Sequence, residues 1–215
     1  AFDNGAEVDT TQFTVPNLKG GDTVYFRVTS VNEGGESFPT ETLAVRDRKS
    51  GPAPVLIVNG FDRLDRGLNI KLESGVERGI LSRMNTFNYA IQHAEALEAA
   101  GYDFDSSSNE AVARGQVPLN DYETVVWILG QEAANDATFD EFEREVVEAY
   151  LNNGGTMLVT GSNVASELSE RAPEFLEDVL RTSYTNHHEG ELKAHGLSDS
   201  IFTKTALSFA EADGA

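Results

Sequence analysis

Three continuous apolar runs punctuate the second part of the chain: Pro54 to Val58 (PVLIV), Val125 to Leu129 (VVWIL) and Thr156 to Thr160 (TMLVT). Runs of this length with no polar alternation predict strands buried on both faces, as in a parallel sheet. Between them the period changes to that of a helix. Met84, Phe87, Ile91, Ala94 and Leu97 share one helical face, and Gly101 stands where a C-terminal cap belongs. A short strand around Tyr102 to Phe104 follows. Thr138 and Glu141 have capping-box spacing ahead of a stripe made by Phe139, Phe142, Val146 and Tyr150, and Gly154-Gly155 ends that helix. A further helix is expected from about Asn163, and Pro173 opens another with Phe175, Leu176, Val179 and Leu180 turned inward. Strands and helices alternating at this spacing predict βαβ units, hence an α/β fold with a parallel sheet covered on both faces. The terminal stretch IFTKTALSFAEADGA can add an edge strand before an acidic tail.

Residues 1–47 have a different texture. Val24, Phe26, Val28 and Ser30 alternate with Tyr25, Arg27, Thr29 and Val31, as a half-buried strand does. Lys19-Gly20-Gly21-Asp22 and Asn32-Glu33-Gly34-Gly35 are turn sequences on either side. Residues 48–53, charged and then Pro-containing, have the composition of a linker, and 54–215 make up the α/β part.

Composition narrows the chemistry. With 40% hydrophobic residues in 215, the chain can bury a substantial core. Acidic residues outnumber basic ones by 36 to 16, a net charge of −20 that repels phosphate backbones and argues against nucleic-acid binding. Cysteine is absent, which excludes disulfides, thiolate metal sites and a cysteine nucleophile. No apolar run is long enough to span a membrane, and the opening AFDNGAEVDT lacks the features of a signal peptide. Neither a G-x-G-x-x-G nor a G-x-x-x-x-G-K motif is present to cradle nucleotide phosphates. No cofactor is implied.

Two resemblances add to this reading. Leu18 and Tyr25, with YFRVTSVNEGGES, resemble the last part of a fibronectin type III domain, which implies a tyrosine corner whose phenol bonds back to the preceding turn. Only about half of such a domain is represented, so the sequence is expected to begin inside one. VLIVNGFDR, RMNTFNYAIQHAEAL and YETVVWILGQE resemble the class I glutamine amidotransferase-like fold, more narrowly a module of bacterial surface proteins often named as xanthan lyases or N-acetylmuramoyl-alanine amidases. The resemblance implies a flavodoxin-like, three-layer α/β sandwich following a partial all-β fibronectin type III segment. It also implies a secreted or cell-surface setting and other domains of the same polypeptide as companions.

Ligands of open parallel sheets bind beyond the carboxyl ends of the strands. Three Gly-containing loops stand there: Asn59-Gly60-Phe61-Asp62-Arg63, Gly130-Gln131-Glu132 and Gly161-Ser162-Asn163. They make Asp62, Arg63, Gln131, Glu132, Ser162 and Asn163 candidate ligand contacts, the alternative being that the glycines only permit turns. Ser162 occupies the elbow where the amidotransferase family has its cysteine, and His187 and Glu189 have that family's His-x-Glu spacing. This gives Ser162, His187 and Glu189 as a candidate catalytic set. However, the second glycine of a G-x-S-x-G elbow is missing, and Ser162 or Asn163 as a helix N-cap accounts for the same residue types. Tyr89 and His93 share a helix face that meets either the Asp62-Arg63 loop or water. DFDSSSNEAVAR begins like a calcium loop at Asp103 and Asp105 but has Ser108 and Arg114 where Gly and Glu are required, leaving turn formation as the simpler reading. His187, His188 and His195 would need to converge to bind zinc.

The expected function is a non-catalytic accessory module that binds polysaccharide or peptidoglycan for a larger surface protein. The alternative is a hydrolase of an amide or glycan bond, working through Ser162 or through Asp62 and Glu132 as paired carboxylates. A structural spacer without a ligand-sized pocket is the third reading.

Overall fold

The structure, a computed structural model, describes residues 2, 5–46, 51, 53–61, 63–64, 69–79, 87–132, 137–186 and 193–208. The chain divides into two compact units, residues 1–63 with 86–183 and residues 64–85 with 184–215. The strands are β1 (Thr23–Phe26), β2 (Val31–Asn32), β3 (Gly35–Glu36), β4 (Leu43–Arg46), β5 (Val55–Asn59), β6 (Ile70–Lys71), β7 (Glu77–Arg78), β8 (Phe104–Ser108), β9 (Thr124–Gly130), β10 (Thr156–Gly161), β11 (Lys193–His195) and β12 (Ala206–Ser208). The helices are α1 (Tyr89–Ala100), α2 (Asn109–Ala113), α3 (Glu141–Asn152) and α4 (Val164–Arg171).

The first unit is built on a four-stranded parallel sheet in the order β10-β9-β5-β8. The chain enters at β5, moves outward to β8, returns to the other side of β5 as β9, and moves outward again to β10. All five residues of β5 are buried, as its apolar run predicts. Its alternation distributes them between two cores. Val55 and Ile57 pack with Phe104, Val126, Ile128 and with Ala90 and Ala94 of α1. Leu56 and Val58 pack with Trp127, Phe139, Val147, Tyr150, Leu168 and Leu176, which come from β9, the segments bearing α3 and α4, and the helical turn Phe175–Val179. Complete burial of such side chains contributes about 1.5–3 kcal/mol each, and these two clusters hold the unit together.

Four elements depart from the sequence expectation. The TMLVT run, expected to be buried on both faces, forms the edge strand β10, bonded to β9 alone among the described strands. By register Leu158 lies beside Val126, on the α1 face, and it is 45% exposed. Helix α1 starts at Tyr89 and buries Ala90 and Ala94, because Phe87 adopts a left-handed φ of 49° that a continuing helix does not allow. Met84, placed on the helical stripe, lies outside the described residues. Helix α3 is capped by Asp140 and not by Thr138: Asp140 Oδ1 accepts from Glu143 N at 2.8 Å, and Glu143 Oε2 accepts from Asp140 N at 2.7 Å. This shift moves Phe139 out of the helix and into the core, and it turns Phe142 outward, 65% exposed, where the earlier register would have buried it. DFDSSSNEAVAR is no turn sequence: it forms β8 and α2, with Ser108 as the N-cap of α2.

The N-terminal segment belongs to the same unit. β1 pairs antiparallel with β4, β2 with β3, and Asp22 N bonds Lys19 O at 2.8 Å in the expected turn. β4 is held by Ala44 N donating to Ser106 Oγ at 2.7 Å and by Thr42 Oγ1 donating to Asn88 Oδ1 at 2.6 Å. Arg46 adds ion pairs to Glu98 at 2.9 Å and Asp103 at 3.4 Å. Tyr25 packs on the α1 side of the core, and burial, with Glu95 and Glu98 nearby, raises its pKa. Among the described residues its phenol makes no hydrogen bond to the Lys19–Asp22 turn.

In the second unit β6 pairs antiparallel with β7, and β11 with β12. The terminal strand expected from IFTKTALSFAEADGA is thus β12, part of a hairpin and not of the parallel sheet.

Candidate functional site

Strand order places the divergence of chain direction between β5 and β9, and open parallel sheets present their ligand crevice there, beyond the carboxyl ends. The three Gly-containing loops do meet at this end. Arg63 N donates to Glu132 Oε1 at 3.1 Å, and Arg63 Nη1 to Gln131 O at 3.0 Å. Ser162 N donates to Gly130 O at 2.7 Å, and Asn163 Nδ2 to Glu132 O at 3.4 Å. Glu132 is 2% exposed, a carboxylate drawn inward by the Arg63 amide. Gly130 is needed where it stands: its φ is +50°, and a Cβ there would lie 2.5 Å from Phe61 Cγ.

These contacts correct the capping reading of the third loop. Asn163 occupies the N-cap position of α4 with φ 62°, and no side-chain cap bond forms there. Its carboxamide reaches back to the β9 loop instead. Asp62, His187, His188 and Glu189 lie outside the described residues. His195 sits exposed on β11 in the second unit. Tyr89 turns its ring to Phe61, with centroids 5.3 Å apart and planes at 57°. His93 Nδ1 lies 2.8 Å from Tyr89 O, a local bond within one helical turn. Asp103 is paired with Arg46, and Asp105 accepts from Tyr122 Oη at 3.0 Å. Among the described residues no group of three His, Cys, Asp or Glu is placed to hold a metal ion.

Two cavities open at this same end of the first unit. The larger, of about 480 Å³, is lined by Gly60 and by Asn109, Glu110 and Arg114 on the α2 side, facing Thr138, Asp140 and Phe142 at the start of α3. Its base is fixed. Glu143 accepts from Asn109 Nδ2 at 2.8 Å while closing the α3 capping box, and the buried Thr138 donates to Glu167 Oε2 at 2.5 Å. Glu110, Arg114, Asp140 and Phe142 remain exposed to an incoming ligand. The smaller, of about 140 Å³, lies among Pro39, Thr40, Asn59, Phe61, Phe87 and Ser108, and shares Asn109 and Glu110 with the larger. Gly60 stands between the two, and a Cβ there would lie 2.7 Å from Trp127 Nε1.

None of Arg63, Gln131, Glu132, Ser162, Asn163, Tyr89 or His93 lines either cavity. The loops singled out from sequence bond chiefly to one another, and the open space lies toward β8. The residues that line it follow the same strand-end logic applied to β8, where the sequence alone predicts only a short strand around Tyr102 to Phe104 followed by turns. Phe142 was hidden by the misplaced helix start.

The first unit is thus an α/β assembly with a parallel sheet whose carboxyl edge carries a polar cleft and a smaller adjoining pocket. No protein-family model, no curated protein and no solved structure matches the chain.

Proposed function

We propose that this chain is a non-catalytic binding module for carbohydrate, an extracellular accessory part of a bacterial surface protein associated with polysaccharide or peptidoglycan. The observation that carries the reading is the 480 Å³ cleft, which Asn109, Glu110, Arg114 and Asp140 line together with an aromatic residue, Phe142, left 65% exposed. Sugars offer hydroxyls around a ring whose C–H face is apolar. A site of charged and amide side chains beside an open aromatic face is complementary to both features. The amidotransferase-like three-layer sandwich and the fibronectin-like N-terminal segment, both proposals from resemblance, agree with such a setting. The lack of cysteine removes the nucleophile of the amidotransferase family and so favours the non-catalytic reading.

The test is titration calorimetry of the chain with β-linked oligosaccharides and soluble peptidoglycan fragments, repeated with Phe142→Ala and Arg114→Ala. Both side chains are exposed, so both variants are expected to fold. Saccharide binding weakened about ten-fold or more by either substitution supports the module. Absence of saccharide binding overturns it. Hydrolysis of an amide or glycan that Ser162→Ala abolishes would replace it with the hydrolase reading.

A further inference from the structure

Trp127, the chain's single tryptophan, is fully buried in β9, yet among the described residues its indole Nε1 has no hydrogen-bond partner. Buried indole N–H groups ordinarily find one, and a donor left unpaired carries a desolvation penalty. Two neighbours place this donor against the 480 Å³ cleft. Gly60 lines the cleft, and a Cβ on it would lie 2.7 Å from Nε1. Phe139, whose ring centroid is 5.2 Å from that of Trp127, stands between Thr138 and Asp140, which also line the cleft. At Gly60 the wall between indole and cleft is therefore backbone without a side chain.

What can meet this donor follows from the rest of the lining. An indole N–H only donates, so its partner must carry an acceptor. Among the described residues of the cleft, the carboxylates of Glu110, Asp140 and Glu143 stand against one guanidinium, Arg114, in a chain of net charge −20. That field opposes carboxylate and phosphate oxygens. A neutral hydroxyl fits on both counts: its oxygen accepts from Nε1, and its proton is available to Glu110 or Asp140. Resting on the carbohydrate reading of this cleft, we propose that it selects uncharged saccharides, one hydroxyl of which takes the Trp127 indole N–H beside Gly60. Nε1 is closed to water, so the hydroxyl arrives as the Gly60 backbone gives way, and the absence of a side chain there keeps that movement small.

Because the chain has one tryptophan, a 15N-labelled sample shows one indole resonance, which reports on this donor directly. The probes are cellotriose and its C6-oxidised counterpart, β-1,4-linked triglucuronate, which share ring and linkage and differ in charge. Cellotriose is expected to bind about ten-fold or more tightly, and to move the indole proton downfield in step with its binding isotherm. Trp127→Phe, checked for folding by thermal melting, is expected to weaken cellotriose binding about three- to ten-fold, the order of one hydrogen bond. If that variant does not fold, the indole resonance of the unaltered chain decides alone. Cellotriose binding that leaves the resonance in place, or that a folded Trp127→Phe does not weaken, overturns the proposal and leaves the carbohydrate module standing. Triglucuronate binding as tightly as cellotriose, or binding of carboxylate-bearing peptidoglycan fragments alone, does the same. Binding of no saccharide overturns both readings.

Discussion

Thr138 Oγ1 donates to Glu167 Oε2 at 2.5 Å, joining two residues 29 positions apart, each nearly excluded from water. The bond ties the segment before α3 to the middle of α4, and Arg171 holds the other carboxylate oxygen at 3.2 Å. Thr138→Val keeps the shape and removes the donor, leaving a buried carboxylate short of one partner. A loss of about 1–3 kcal/mol is expected in urea denaturation, with Thr138→Ser recovering most of it. An unchanged midpoint would mean that the bond contributes nothing.

Helix α3 offers a direct comparison of two overlapping caps. Asp140→Ala removes the side chain that accepts from Glu143 N and is expected to cost about 1 kcal/mol. Glu141→Ala, the outer member of the box expected from sequence, should change stability by no more than about 0.5 kcal/mol. The reverse ranking in chemical denaturation would restore the earlier register.

Tyr150 gives the alkaline limb of stability its sign. Its hydroxyl donates to Thr156 O at 3.1 Å and accepts from Thr156 N at 3.2 Å, and burial raises its pKa, partly offset by the Thr156 bond. The unfolded chain then releases this proton first, near the ordinary value of about 10. The contribution is complete below that pH and is lost as pH rises through the folded pKa. Tyr25, raised in the same direction, adds to the slope. Urea midpoints measured from pH 8 to 11 should fall above pH 10. Tyr150→Phe should start about 1 kcal/mol lower and fall less steeply.

The strands were legible because burial on two faces leaves an unbroken apolar run, and PVLIV and VVWIL can hardly be read otherwise. TMLVT has the same texture but half the cover, since strand order, which decides what lies at an edge, leaves no mark on a single strand. Two overlapping boxes, Thr138/Glu141 and Asp140/Glu143, were equally consistent with local spacing. The core's need for Phe139 beside Trp127, ring centroids 5.2 Å apart, decides between them. The candidate loops were legible from glycines at strand ends. The cavities were not, because Asn109, Glu110 and Asp140 come from segments whose boundaries had to be known first.

The half-covered edge strand β10 bears on colloidal behaviour. An open strand with an exposed Leu158 can template pairing with another chain. At neutral pH, mutual repulsion between copies carrying a formal charge of −20 keeps such edges apart. That barrier shrinks as the solution approaches the isoelectric point near 4.4. Light scattering should therefore rise on acidification before the fold itself is lost, and Leu158→Lys should delay the rise. The expected outcome is an association set by pH through this edge strand, with no change in the sheet.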